Sequence, residues 1–201
     1  MIFLFIKTLL IGFAIAMPVG PIGMLCIKNT LKQGFFIGLA VGIGAACADA
    51  IYGMIAGCGT AAIAAILLSH TTQIRIVGGL LLIFLGLKEI KSHNSTKARD
   101  HKKSSNNFLK TIAISFALTA TNPATVLSFV AIFASIGGSA LTLHNISIMV
   151  LGVFCGSLIW WITLSGCVSI FKSKIPKSVM NKMSIISGTL LAAFGVLCIV
   201  I

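Results

Sequence analysis

The segment FIKTLLIGFAIA, residues 5–16, recurs as FLKTIAISFALT at residues 108–119. The two segments align without gaps, and Phe5, Lys7, Thr8, Ile11, Phe13 and Ala14 recur as Phe108, Lys110, Thr111, Ile114, Phe116 and Ala117. With a slip of one residue, Gly20-Pro21 falls on Asn122-Pro123. Nearer the ends of the two halves, Gly79, Leu81, Leu82 and Gly86 recur as Gly188, Leu190, Leu191 and Gly195. The chain is therefore built from two related halves.

Composition places both halves in a membrane. Of 201 residues, 58% are hydrophobic and 9% are charged, and the mean hydropathy is +1.10, values typical of an integral membrane protein rather than a water-soluble domain. A membrane helix needs about 20 apolar residues. The runs of that kind are 2–27, 34–59, 73–90, 108–136, 145–171 and 183–201.

Six spans in two halves of three fix the expected topology, because an odd number of spans makes the second half enter the membrane from the opposite side. The fold class expected is an all-α integral membrane protein of six transmembrane helices, arranged as two inverted three-helix repeats. One membrane domain, 1–201, would contain repeat 1 (1–90), a cytoplasmic basic loop (91–107) and repeat 2 (108–201). The polar stretch 88–107 favours a flexible loop, and the run 61–68 either extends the second helix or lies in the interface.

Basic residues are distributed unevenly over this topology. With the N-terminus outside, Lys7 and Arg75 lie on the outer side and the other thirteen of the 15 Lys and Arg residues lie inside. Because Lys and Arg accumulate on the cytoplasmic side, both termini are expected in the periplasm, with the chain in a bacterial cytoplasmic (inner) membrane. This placement of the basic residues accounts for the net charge of +12, so no nucleic-acid partner is predicted.

Proline interrupts the first and fourth spans, at Pro18 and Pro21 and at Pro123. Proline removes a backbone donor and clashes with the preceding turn, and free backbone is tolerated in a membrane only where it is buried in protein or lines a polar cavity. A single membrane proline commonly just kinks a packed helix, but matched breaks in an inverted repeat are typical of a transporter's substrate site. The sequence therefore predicts such a site at Pro18, Gly20, Pro21, Asn122 and Pro123.

Asp49 is the one acidic residue within a predicted span. A charged carboxylate at that depth costs about 2.5–3.5 kcal/mol on insertion scales. It is interpreted as a functional group that binds a substrate ammonium, a coupling proton, or each in turn. The alternative is a neutral acid that hydrogen-bonds a neighbouring helix.

Small residues and two tryptophans mark the second and fifth spans. Gly34, Gly38 and Gly42, with Gly152 and Gly156, follow a four-residue spacing that lets helices approach closely, and the same spacing would serve a gliding contact. Trp160 and Trp161 lie near mid-membrane, where an indole needs a hydrogen-bond partner. Core packing and cavity lining are both open for this pair.

Neither an enzyme nor a cofactor is expected. The six cysteines stand singly and the histidines lie in loops or at span ends, so no metal site is predicted. No G-x-x-x-x-G-K-[ST] loop occurs, so transport would be secondary or would depend on a partner.

PVGPIGM in the first span, CADAIYG in the second, TNPATVLSF in the fourth and GSLIWW in the fifth together resemble the LysE/RhtB family of bacterial amino-acid exporters. The resemblance covers essentially the whole chain. It implies efflux of an amino acid or similar small metabolite, driven by a proton or other ion gradient. A frequent family pattern is Pro-Gly-Pro, whereas here Val19 intervenes in Pro18-Val19-Gly20-Pro21.

The function predicted is antiport by alternating access. The halves would rock about a midplane site of Gly20-Pro21, Asn122-Pro123 and Asp49, with Trp160 or Trp161 closing one side. The partners expected are a small-molecule substrate, protons or another coupling ion, and the lipid bilayer, and a homodimer is left open. The alternatives are a non-transporting membrane assembly or redox component, and an ion or heavy-metal exporter of the same superfamily.

Overall fold

A computed structural model describes residues 1–18, 20–57, 69–95, 108–122, 125, 128–129, 142–174 and 177–200. Within these ranges the chain forms seven α-helices and no strands. They are α1 (Ile2–Ala16), α2 (Pro21–Gln33), α3 (Phe35–Gly57), α4 (Thr71–Ser95), α5 (Phe108–Ala120), α6 (Leu143–Phe171) and α7 (Lys177–Val200), and a 3-10 turn, Lys172–Lys174, follows α6.

The first predicted span, 2–27, consists of two helices. α1 ends at Ala16 and α2 begins at Pro21, and the two are bent by 80° relative to each other. Pro21 occupies the first helical position, where the missing N–H removes no intrahelical bond. α2 then continues beyond the predicted end to Gln33, and Gly34 terminates it at a φ of 96°, which glycine adopts without strain.

The other helices agree with the predicted spans to differing degrees. α3 and α6 match 34–59 and 145–171 within two residues at each end. α4 is longer than predicted, so the expectation of a loop from residue 88 is wrong for 88–95. Lys and Glu favour the helical state, and a helix can continue where its apolar run ends. Two predictions concern residues that lie mainly outside the described ranges. They are the placement of 61–68, as an extension of the second helix or in the interface, and the course of the fourth span beyond Asn122.

The helices have the apolarity of membrane spans. α3 and α6 are each long and apolar enough to cross a bilayer, and α1 with α2 makes a third candidate if the bent pair counts as one span. Large apolar side chains also face outward, with Leu10 60%, Phe84 62% and Leu151 57% exposed. Such a surface needs lipid rather than water around it, so the chain is an integral membrane protein.

Helix pairs approach closely at glycines. α1 packs on α6, α3 packs on α5 and α6, and α4 packs on α7. A Cβ at Gly42 would overlap the side chain of Trp161, and one at Gly156 would overlap the backbone of Leu9. Gly38 and Gly152 are equally crowded, each by a threonine hydroxyl. Gly34 differs from these four, because a Cβ there would meet nothing within 4 Å and its part in the fold is to end α2.

The largest buried cluster joins α2 to α7 across the middle of the molecule. Its larger members are Ile22, Cys26, Val41, Leu82, Leu118, Trp161 and Leu191. The break between α1 and α2 lies at one edge of this cluster, since Ala16 and Ile22 belong to it. The fold thus sets an interrupted helix beside a packed apolar core.

Candidate functional site

A cavity of about 690 Å³ lies where α1 breaks into α2. Its walls also include residues of α3, α4, α5, α6 and α7. The polar or backbone-breaking residues among its lining are Pro18, Gly20, Pro21, Asp49, Arg75, Thr119, Asn122, Thr125 and Ser128. The volume falls in the range of small-molecule sites, about 300–1,000 Å³. We call this space the central cavity.

The N-terminus of α2 is part of the cavity wall. Gly20 is the N-cap and no side chain caps the helix, while the Gly20 amide donates to the Pro18 carbonyl at 2.9 Å. Ile22 and Gly23 from the first turn also line the cavity. The first N–H groups of a helix have no intrahelical partner and carry a partial positive charge. The break therefore presents a place for a negative group.

Asp49 is buried, with 3% of its surface exposed, and it lines the central cavity. The Ser157 hydroxyl donates to its Oδ2 at 2.7 Å, and the Trp161 indole Nε1 donates to the Ser157 Oγ at 3.2 Å. Ser157 and Trp161 stand one turn apart on α6 and so share a face. This chain of two hydrogen bonds joins α6 to the carboxylate on α3.

Arg75 brings a positive group to the same cavity. It lies near the start of α4, and its Nε donates to the Cys198 carbonyl on α7 at 3.3 Å. A guanidinium has five N–H donors, so this bond leaves others for a ligand. The cavity thus combines one buried carboxylate with one guanidinium.

The end of α5 also contributes to the cavity wall. α5 ends at Ala120, and Thr119 and Asn122 line the cavity. Tyr52, on α3, donates its hydroxyl to the Ala120 carbonyl, one of the last-turn carbonyls that lack an intrahelical donor. The Tyr52 ring stacks on Phe129 with centroids 5.6 Å apart. Tyr52 therefore links the end of α5 to the helix that carries Asp49.

Most of the residues that the sequence singled out are neighbours in the structure. Pro18, Gly20, Pro21, Asp49, Asn122 and Trp161 all line the central cavity. Trp160 is not among the lining residues, and its ring instead meets Phe13 edge-on at 5.6 Å. Successive helical residues point about 100° apart, so only one of the two indoles faces the cavity. Pro123 lies outside the described residues.

Sequence reasoning missed Arg75 and Ser157. The charge pattern uses Arg75 only as an indicator of orientation, and its place near one end of the run 73–90 is a weak signal of a site residue. Ser157 is neutral, and its only signal is the one-turn spacing to Trp161. Among the described residues, no three of His, Cys, Asp and Glu converge on a point that could hold a metal.

Two comparisons with known proteins give matches over most of the chain. A relative in Bacillus subtilis (strain 168), named "Putative amino acid efflux protein YcgF", is 23% identical over 195 residues, covering 96% of this chain and 93% of the relative. No solved structure matches the chain. The family described as LysE type translocator matches residues 13–200. With that match covering nearly its whole length, the chain belongs to the LysE type translocator family.

Proposed function

We propose that this translocator exports an amino acid from the cytoplasm through the central cavity. The observation that carries the proposal is that an acidic residue, Asp49, and a basic residue, Arg75, both line one cavity at a broken helix. A zwitterionic amino acid carries an ammonium and a carboxylate, and a site of opposite charges can satisfy both. The efflux named for the Bacillus subtilis relative is consistent with this substrate class.

Each end of the substrate has a partner in this arrangement. The ammonium binds Asp49, which Ser157 holds in place through its hydroxyl. The carboxylate binds Arg75 and the N–H groups at the start of α2, where the helix dipole favours an anion. Pro18, Gly20 and Pro21 keep those groups free, and Trp161 and Asn122 form the adjacent walls. Trp160 has a packing role.

Helix packing supports the inverted repeat. If α1, α3 and α4 of the first half correspond to α5, α6 and α7 of the second, the contact of α1 with α6 corresponds to that of α5 with α3. The α3–α6 and α4–α7 contacts correspond to themselves. These four contacts are thus unchanged when the halves exchange, as a pseudo-two-fold axis requires.

Glycine contacts support the same exchange at residue level. A Cβ at Gly156 would meet the Leu9 carbonyl and the Phe13 amide, and one at Gly44 would meet the Ile112 carbonyl and the Phe116 amide. The aligned segments 5–16 and 108–119 pair Leu9 with Ile112 and Phe13 with Phe116. The two crowded contacts are therefore equivalent. They support one membrane domain of two related halves, in which the first half ends with α4 at Ser95 and the second begins with α5 at Phe108.

Orientation follows from where the lysines lie along the helices. Lys28 and Lys88 occur toward the ends of α2 and α4, away from the central cavity, whereas Lys110 and Lys182 occur toward the starts of α5 and α7. These helix ends lie at the same side of an inverted repeat. By the preference of basic residues, that side is cytoplasmic, both termini are periplasmic and the membrane is the bacterial inner membrane.

The coupling proposed is exchange of one substrate for one proton at Asp49 by alternating access. The carboxylate releases the ammonium outside and takes up a proton there, then releases that proton to the cytoplasm as it binds the next substrate. One charge moving inward gains about 2.3 kcal/mol per 100 mV, which supports roughly 50-fold accumulation of a zwitterion. Rocking of the two halves would expose the cavity to each side in turn.

Uptake into inside-out vesicles with an acid lumen tests the proposal. Twenty labelled amino acids are offered to vesicles with the wild-type chain, with Asp49→Asn, and with Thr163→Val, whose hydroxyl is exposed and bonds its own helix at Ile159. At least one amino acid should accumulate with the wild type and with Thr163→Val, and accumulation should be lost with Asp49→Asn. Accumulation of none of the twenty would refute amino-acid export, and uptake of a metal ion instead would favour the heavy-metal alternative.

A further inference from the structure

A second cavity, of about 230 Å³, lies between α2, α4, α5 and α7. Its lining residues are Leu25, Lys28, Asn29, Leu85, Lys88, Thr111, Ile114, Leu118 and Leu191. The four helices are also represented in the wall of the central cavity, at other residues. We call this space the lower cavity.

The two cavities are displaced along the same helices. On α4 the central cavity is lined by Arg75 and the lower cavity by Lys88, thirteen residues or about 20 Å apart at 1.5 Å per residue. Leu118 and Leu191 of the lower cavity belong to the same buried cluster as Ile22 of the central cavity. On α5 the two linings are adjacent, at Thr119 and Leu118, so the polar spaces are close neighbours with an apolar layer between them.

Lys28 is the distinctive residue of the lower cavity. Among the described side chains, the buried members of the charged residue types are Lys28, 8% exposed, and Asp49, 3% exposed. Each of them lines one of the two cavities. Charge placed among apolar helices is costly, and such residues are retained where they mark a substrate or ion pathway. The charged residues described in the lining of the lower cavity, Lys28 and Lys88, are basic, whereas Asp49 is acidic.

The chemistry of the lower cavity suits an anion. Two lysine ammonium groups, the Asn29 amide and the Thr111 hydroxyl can all donate hydrogen bonds, and none of the described residues that line the cavity is acidic. Donors that carry charge bind carboxylates roughly twice as strongly as neutral ones. The cavity volume of about 230 Å³ is that of about eight water molecules at ~30 Å³ each. This is enough for the carboxylate and Cα of an amino acid.

We propose that the lower cavity is a cytoplasmic loading site, in which Lys28 and Lys88 capture the substrate's carboxylate before it crosses the apolar layer to the central cavity. The proposal rests on the export function and on the cytoplasmic placement of the lysine-bearing helix ends. The loading site raises the local concentration of substrate on the side from which export begins. It makes no contact with the substrate once the amino acid has reached Asp49.

The test compares the two faces of the membrane, using the amino acid that the wild type accumulates best in the panel of twenty. Lys28→Gln and Lys88→Gln should each raise KM at least fivefold when substrate is offered at the cytoplasmic face of inside-out vesicles. Vmax for substrate offered at that face should stay within about twofold. KM at the periplasmic face of right-side-out vesicles should not change, and Vmax in that direction should fall in proportion, as reversibility requires. Lys88 is exposed, so Lys88→Gln remains informative if the buried Lys28 variant folds poorly.

Matched controls are available one turn away. Lys32 on α2 and Lys91 on α4 are exposed and do not line the lower cavity, so Lys32→Gln and Lys91→Gln remove the same charge from the same surface. If the effect were only a general surface potential, all four variants would raise KM alike. The loading site predicts that the two controls keep the wild-type KM.

A substrate analogue identifies the group that is captured. Replacing the carboxylate of the amino acid by a neutral amide should raise the cytoplasmic KM of the wild type, and this preference should shrink in the Lys28→Gln and Lys88→Gln variants. An unchanged KM in both variants, or equal changes in the controls, would overturn the loading site while leaving export intact. If the variant effect disappears in vesicles of phosphatidylcholine alone, the cavity binds an anionic lipid headgroup and the proposal is wrong. Export of no amino acid by the wild type would instead refute the function itself.

Discussion

Replacing Ser157 by alanine removes the link between α6 and Asp49 while leaving every charge in the central cavity unchanged. Two hydrogen bonds disappear with the hydroxyl, one donated to Asp49 at 2.7 Å and one accepted from Trp161 at 3.2 Å. Ser157 is itself fully buried and does not line the cavity. Its part is to position the carboxylate, so its loss should weaken substrate binding more than it slows the transport cycle.

The size of the effect can be worked from these two bonds. A hydrogen bond to a charged group contributes about 1.5–3 kcal/mol in soluble proteins, but side-chain bonds between membrane helices average about 0.6 kcal/mol. Water from the adjacent cavity can also replace part of the lost hydroxyl. We therefore expect a loss of roughly 1–2 kcal/mol, which corresponds to about a 5- to 30-fold weaker affinity.

Two measurements on Ser157→Ala separate positioning from general damage. Substrate affinity in detergent should fall by the stated factor, while flux at saturating substrate stays within about threefold because the carboxyl group of Asp49, the proposed proton carrier, is unchanged. The matched control is Thr163→Val, which removes an exposed hydroxyl on the same helix and should leave both values unchanged. Wild-type affinity in Ser157→Ala would refute the positioning role, and equal losses in both variants would indicate damage to α6 as a whole.

Three further outcomes are expected. A reporter that is active only in the periplasm should be active when fused after Ile201 and silent within 91–107, and the reverse pattern would contradict the inverted topology. Pro21→Ala lowers the cost of a continuous first helix by up to about 3 kcal/mol, so transport should fall at least tenfold with the protein still inserted, and wild-type transport would make Pro21 a packing residue. Gly156→Ala should destabilise the protein by about 1–3 kcal/mol in thermal unfolding because of its contact with α1, whereas Gly166→Ala, with nothing within 4 Å, should not; equal stability would contradict the close approach.

The sequence predicted the parts of the site that depend on position along the chain. Asp49 stands out because a carboxylate inside an apolar run is costly, and Pro18 and Pro21 stand out because proline ends a helix wherever it occurs in one. Both signals are local and need no knowledge of neighbouring helices. The residues concerned all line the central cavity.

The rest depends on rotation about helix axes and on contacts between helices. α6 is apolar on every side, so no pattern in the sequence tells which of Trp160 and Trp161 faces inward. Ser157 gains its importance only from the approach of Asp49 on another helix. The charge count places Arg75 on the outer side of the membrane, and its further place in the cavity wall depends on how α4 packs.

Binding of three related ligands to the purified protein tests the central claim most directly. The ligands are the amino acid that the wild type accumulates best, its decarboxylated amine and its deaminated acid, and affinities are measured for the wild type, Asp49→Asn and Arg75→Gln. Since a charge-assisted hydrogen bond contributes about 1.5–3 kcal/mol, the wild type should prefer the intact amino acid to either analogue by at least tenfold. Asp49→Asn should bind the deaminated acid as tightly as the amino acid. Arg75→Gln should bind the decarboxylated amine as tightly as the amino acid. If both variants keep the wild-type preferences, the central cavity does not recognise a zwitterion through Asp49 and Arg75.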